Sequence, residues 1–200
     1  MDDTLLCILK DYEVAKEVPK HLDSLNNKIV ETVDTYLNEL VTDNWTITKS
    51  SIVDSFLISK PNWISGDNDW LACFAFEIDN NENKYDYRLN HMLGYSKFPF
   101  NVVCSLNGLL QQESSVDKLQ LVDASTELKK KLLSNGFSES TSRGKKVYYF
   151  SKPIKFEKQK LIEAFENENP TEGIGILRDI VSEIDDYVSL IDEIVEKFRQ

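Results

Sequence analysis

An α+β fold is predicted, and three observations predict it. Apolar residues recur at spacings of three and four near both ends of the chain, short aromatic and β-branched runs fill the middle, and turn-forming clusters separate those runs. The expected architecture is an antiparallel β-meander of three to four strands plus a β-hairpin, packed against long amphipathic helices at about 22–42 and about 170–199. A chain of 200 residues suits one domain, 1–200; the candidate subdivision is helix plus meander (1–112) and helix, basic hairpin and long C-terminal helix (113–200).

The first helix follows from Leu22, Leu25, Ile29, Val33, Tyr36, Leu37 and Leu40, which build one apolar face and stop at Asp43-Asn44. Three strands are then expected, through Ile52-Val53 and Phe56-Leu57-Ile58, along Trp70–Ile78 and from Tyr85 to Leu93, with a fourth piece at Phe100–Ser105. Pro61-Asn62, Gly66-Asp67-Asn68-Asp69 and Asn80-Asn81-Glu82-Asn83 supply the turns between them. Trp70–Ile78 has the longest apolar character and is placed centrally.

Helical spacing returns over about 115–134, in two pieces broken near Asp123-Ala124-Ser125. Glu127 early and Lys129-Lys130-Lys131 late complement the dipole of the second piece, and Asn135-Gly136 offers a left-handed cap. Phe137–Thr141 and Lys146–Ser151 read as a hairpin around Ser142-Arg143-Gly144, and a short helix is expected over about 156–167. The last helix starts at Asn169-Pro170-Thr171-Glu172, a capping-box variant with Asn as cap. Ile174, Leu177, Val181, Ile184, Val188, Ile191, Val195 and Phe198 form a heptad stripe about 45 Å long. Ile180, Tyr187 and Ile194 add a second column, which widens the stripe into a face suited to core packing; a dimeric coiled coil is the alternative.

Charge is sorted along the chain. Residues 118–160 hold eleven Lys and Arg against four Asp and Glu, whereas the flanking segments are acidic, and the total is −11. An acidic protein with one basic insert either binds a polyanion, binds a basic partner, or neutralises itself internally. Ten Phe, eight Tyr and three Trp give the chain large surfaces to bury and exclude a disordered composition. The start MDDTLLCILKDYEV carries acids where a secretory leader needs bases, and no run approaches eighteen apolar residues, so a cytoplasmic protein with no membrane contact is expected. Cys7, Cys73 and Cys104 read as buried, reduced thiols.

Chemistry-bearing motifs are few. His21 and His91 have no partners at metal-ligand spacing, and His91 reads as a hydrogen-bonded structural histidine. Gly173-Ile174-Gly175 follows no strand and lacks a third glycine, so it is not a dinucleotide loop. Asp69, Glu77 and Asp79 gather acids near one sheet end, but the lysine that a metal-dependent nuclease places just beyond its strand acid is missing. Neither a catalytic residue nor a metal or cofactor is therefore expected.

Lys129, Lys130 and Lys131 on a helix, followed by a hairpin tipped by Arg143, Lys145 and Lys146, resemble a winged-helix arrangement, which implies polyanion binding through those six residues. Plain solvation of lysines on a helix surface is the alternative. The order helix, three strands, helix, two strands, helix, with the acidic charge, resembles the small secretion chaperones, which implies dimerisation and an extended client. By order alone it also resembles the accessory region beside restriction-type nuclease domains of bacterial defence proteins. The expectation is a non-enzymatic, chaperone-, adaptor- or inhibitor-like protein that recognises a basic protein partner through Asp67, Asp69, Glu77, Asp79, Glu82 and Asp86, with a homodimer through the C-terminal helix as an option. The alternative is a nucleic-acid-associated accessory protein using residues 129–155.

Overall fold

The computed structural model of the chain describes residues 12–41, 44–50, 55–65, 70–78, 88–106, 108–109, 125–139 and 148–199. Along it run α1 (Tyr12–Leu40), β1 (Thr46–Ser50), β2 (Ser55–Ser59), β3 (Cys73–Ile78), α2 (Arg88–Met92) and β4 (Phe100–Ser105). Then come α3 (Thr126–Ser134), β5 (Ser138–Glu139), β6 (Tyr149–Pro153), α4 (Lys158–Glu166), α5 (Ile176–Asp185) and α6 (Val188–Arg199). The six strands form one antiparallel sheet in the order β1-β2-β3-β4-β6-β5. The predicted α+β class is therefore what the chain adopts: a meander of four strands extended by a hairpin whose second strand pairs with β4. That pairing crosses the candidate boundary at 112, so one sheet serves both halves.

Register decides what each face of the sheet carries. The pairs Phe56↔Phe76, Ile58↔Phe74, Phe74↔Cys104, Phe76↔Val102, Ile78↔Phe100 and Cys104↔Phe150 put large apolar side chains on one face. Those residues join Ile29, Val33, Tyr36 and Leu37 of α1 and the buried residues of α3 to α6 in a single core. Edge-to-face contact between Phe56 and Phe76, at 6.4 Å, and tilted contact between Phe74 and Tyr187, at 6.1 Å, tie strands to each other and to the C-terminal helices. The opposite face carries Ser55, Leu57, Ser59, Cys73, Ala75, Glu77, Asn101, Val103, Ser105, Tyr149 and Ser151, a set of mostly small and polar residues. The alternation that sequence reading looks for is thus present, with most of the large apolar residues on the helical side and Leu57 and Tyr149 on the other.

Several boundaries depart from expectation. The first helix begins at Tyr12, not near 22, and runs through Pro19. Glu13, Ala15, Lys16 and Glu17 are strong helix formers, and they carry the helix through the one backbone hydrogen bond that Pro19 removes. The run from Tyr85 to Leu93 is not a strand where it is described: Arg88–Met92 is a short helix that buries His91 and Met92 and leads into Gly94 at φ +73°. Strand Trp70–Ile78 starts at Cys73 and shares the centre of the sheet with Phe100–Ser105, which is a full six-residue strand rather than a fragment. Thr46–Ser50 forms an edge strand the sequence reading did not single out, and Ile52-Val53 lies outside the described residues. The first helical piece, 115–122, and the hairpin tip, 140–147, also lie outside them.

Other signals hold. Asn135-Gly136 ends α3 with Gly136 at φ +86°, and the Phe137 amide reaches back to the Leu132 carbonyl at 3.1 Å, the long closing bond of a left-handed helix cap. The short helix expected over 156–167 is α4.

The C-terminal element is not one 45 Å helix. Its expected Asn cap instead closes a local turn, in which Asn169 Nδ2 donates to Glu172 Oε1 at 2.7 Å, and a 3-10 turn at Glu172–Ile174 precedes α5. Gly173 explains the displacement: a Cβ there would stand 2.9 Å from the Leu161 Cα, so the turn packs backbone-close against α4. A second break falls at Asp186-Tyr187, where both amides bond three residues back, to Glu183 and Ile184. Burial nevertheless continues across the breaks. Ile174, Leu177, Ile184, Ile191 and Val195, with Ile180, Tyr187 and Ile194 of the second column, all lie in the core, and Val181, Val188 and Phe198 pack against it partly buried, so most of the heptad face packs within the chain.

Candidate functional site

Lys152, at the end of β6, and Glu183, on α5, lie 2.7 Å apart with about a quarter of each side chain exposed. The Tyr187 hydroxyl donates to the other oxygen of Glu183 at 2.8 Å and accepts from Asn135 Nδ2 at 2.7 Å. At the helix break, the Asp186 carbonyl accepts from Lys131 Nζ at 2.6 Å, and that ammonium also lies 5.5 Å from the centre of the Tyr187 ring. Burial raises the pKa of the Tyr187 hydroxyl, and Glu183 raises it further against the opposing donation from Asn135. The basic insert and the acidic C-terminal segment therefore meet, and part of the sorted charge is neutralised inside the molecule.

The five lysines and one arginine expected to bind a polyanion do not form one described patch. Lys129 pairs with Glu139 at 2.6 Å, Lys130 with Glu127 at 2.8 Å, and Lys131 is held at the helix break. Arg143, Lys145 and Lys146 lie outside the described residues. Of the expected acidic face only Glu77 is described; it accepts a hydrogen bond from the Tyr149 hydroxyl on the polar side of the sheet. Asp67, Asp69, Asp79, Glu82 and Asp86 lie outside, and with them two of the three acids of the weighed nuclease cluster. Asp192 of α6 is also engaged: its Oδ1 accepts from Trp63 Nε1 at 2.7 Å and Asn62 Nδ2 at 2.8 Å.

Among the described residues, His91 and the two thiols are buried or half-buried. His91 is buried and its Nδ1 hydrogen-bonds the Phe98 carbonyl, a structural role. Cys73 and Cys104 are free thiols; burial, with Glu77 nearby, pushes Cys73 up to about 12, and burial raises Cys104 as well. Cys7 lies outside the described residues. Among the described residues no group of three or more His, Cys, Asp or Glu side chains is placed to hold a metal ion, and no helix is long and apolar enough to cross a membrane.

Among the described residues, a groove opens on the surface between α1 and α4. Leu25 and Ile29 on α1, Leu93 after α2, and Leu161, Ile162 and Phe165 on α4 enclose about 320 Å³, with Lys158 and Glu166 at its rim. Ile29 and Leu161 form the floor at 3% and 5% exposure, while Leu25 and Ile162 stand open at 38% and 40%. The α4 residues fall at i, i+3, i+4, i+7 and i+8 from Lys158, so a single helical stripe carries both the apolar wall and its charged ends. Lys28 Nζ lies 5.5 Å from the Phe165 ring centre and closes part of one side. Leu25 and Ile29 were read from the sequence as core positions of the first helix. The α4 residues were not singled out; their signal is an apolar pair, Leu161-Ile162, too wide for one buried stripe on a nine-residue helix.

No family model, curated protein or solved structure matches this chain.

Proposed function

We propose that this is a non-enzymatic binding protein that recognises a protein partner, and that the groove between α1 and α4 is where the partner seats. The observation that carries the reading is the groove itself: two large side chains, Leu25 and Ile162, stand open beside each other over an apolar floor. Isolated exposed apolar residues are ordinary on a protein surface, but a contiguous concave cluster loses free energy to water unless something covers it. A net charge of −11 adds a long-range preference for a cationic partner, acting on encounter rate rather than on the seated contact. Nucleic-acid binding through residues 129–155 draws less support, because Lys129 and Lys130 have carboxylate partners and Lys131 is tied to α5.

The test is affinity capture run in parallel on the native protein and on the Leu25→Asp/Ile162→Asp variant, at low and high salt. A protein held by the first and lost by the second supports the reading, and a rate of capture that falls as salt rises supports the cationic preference. Equal capture by both proteins, or none by either, overturns the reading.

A further inference from the structure

The charges on α4 run against its own dipole. Lys158 and Lys160 stand in its first turn, where the positive end of the helix disfavours cations, and Glu163 and Glu166 stand toward its last, where no base is present. Helix α3 shows the opposite order, with Glu127 in the first turn and Lys131 in the last. Glu157, preceding α4, is paired with Lys160 at 2.8 Å, and Glu163 with Gln159 at 3.0 Å. The side chains of Lys158 and Glu166, the two charges that line the groove, have no hydrogen bond or ion pair with another described residue. They are eight positions apart, about 12 Å or two helical turns.

Resting on the reading of the groove as a protein-binding site, the geometry points to one occupant: an amphipathic helix of a partner protein, lying parallel to α4. Its apolar residues, spaced at i, i+3 or i+4 and i+7, fill the space between Leu25 and Ile162. Its acidic first turn lies against Lys158 and its basic last turn against Glu166. An ordinary helix carries charge in that order because the order suits its own dipole, so only the parallel orientation brings opposite charges together at both ends. Run antiparallel, the same helix sets base against Lys158 and acid against Glu166, and like charges oppose that register.

The experiment uses a displayed library of helical peptides with Leu at i, i+3 and i+7, half with the acidic turn first and half with it last, other positions varied. It is panned on the full-length protein, and selected clones are measured by fluorescence anisotropy against wild type, Ile162→Asp, Leu25→Asp and the exchange Lys158→Glu/Glu166→Lys, each checked for fold by circular dichroism. The expected result is that clones depend on Leu25 and Ile162, favour acid-first over base-first by about tenfold, and invert that preference on the exchanged protein. Groove-dependent clones with no preference of order, or with a preference that the exchange leaves unchanged, overturn the parallel helix and leave the protein-binding reading standing. Clones indifferent to both Leu25 and Ile162, or no clones at all, overturn both. Sedimentation at rising concentration adds a separate arm: a dimer dissolved by Ile162→Asp makes a second copy of this chain the occupant and overturns the partner helix.

Discussion

Replacing Tyr187 by Phe isolates the polar network that joins the basic insert to the acidic C-terminal segment. The ring is fully buried, 6.1 Å from Phe74 and 5.9 Å from Phe137, so removing the hydroxyl leaves the packing intact. Two hydrogen bonds disappear, at 2.8 Å to the Glu183 carboxylate and at 2.7 Å from Asn135. A net bond to a charged group is worth about 1.5–3 kcal/mol and a neutral one about 0.5–1.5 kcal/mol, but Glu183 keeps its Lys152 partner. The expected loss is therefore nearer the charged bond alone, about 2 kcal/mol. In a chain of this length that lowers Tm by roughly 4–8 °C. Urea and thermal unfolding followed by the fluorescence of Trp45, Trp63 and Trp70 measure it at neutral pH. A double-mutant cycle with Glu183→Gln should return a coupling of about 1 kcal/mol, because the two residues share one network. A loss below about 0.5 kcal/mol, within the range of an uninvolved surface change, refutes the claim that this hydroxyl joins the two segments.

Three further outcomes are expected. Because burial raises Cys73 from 9.0 to about 12 and raises Cys104 as well, the native state keeps thiol protons that the unfolded chain releases. Stability should thus be unaffected by these groups below about pH 8.5 and fall above it by about 1.4 kcal/mol per pH unit per thiol, as far as the folded pKa; urea midpoints unchanged up to pH 11 contradict this. Gly173→Ala should destabilise by about 1–3 kcal/mol, since its Cβ would meet the Leu161 backbone at 2.9 Å, and a Tm equal to wild type shows the turn can move away at no cost. The exchange Lys158→Glu/Glu166→Lys should raise the stability of the free protein by about 1 kcal/mol, because it aligns α4 with its dipole; a lower unfolding midpoint rejects that argument.

How far the sequence led depends on whether a feature is set locally or by distant partners. The left-handed cap at Gly136 and the apolar face of α1 were legible because their determinants sit within one turn of chain. The burial of Ile174 to Val195 was legible from two apolar columns, and the breaks within it were not. A 3-10 joint shifts the helix by a fraction of a turn, so the apolar face runs on through Tyr187 while the joint is held by Asn135 and Lys131, over fifty positions away. Phe100–Ser105 looked like a fragment because its rank in the sheet comes from β3 on one side and β6, about fifty residues later, on the other. His91 and Met92 lie in an apolar run of the kind that strands and buried helix turns share, and only burial against the rest of the core separates the two. The groove shows the same limit. Leu25 belongs to the periodic face of α1 just as Ile29 does, yet one is covered and the other open, and what decides between them is how far α4 reaches across.

The sorted charge offers three explanations, and the contacts distribute them over different residues. Lys131 and Lys152 are used internally, holding the break between α5 and α6, and Asp192 of α6 is used the same way against Trp63. Lys129 and Lys130 form exposed pairs of the kind that contribute little to stability and screen readily with salt. Neither use explains Lys158 and Glu166, which sit at the ends of α4 where each opposes the helix that bears it and neither is paired among the described residues. A chain that places Glu127 and Lys131 to suit the dipole of α3 shows that the favourable order is available to it. On the proposed reading, a partner completes the electrostatics that the fold leaves locally unfavourable beside the open apolar surface. The same pair should therefore show opposite signs in two measurements: exchanging it stabilises the protein alone and weakens the complex. A structural role for these residues would move both in the same direction.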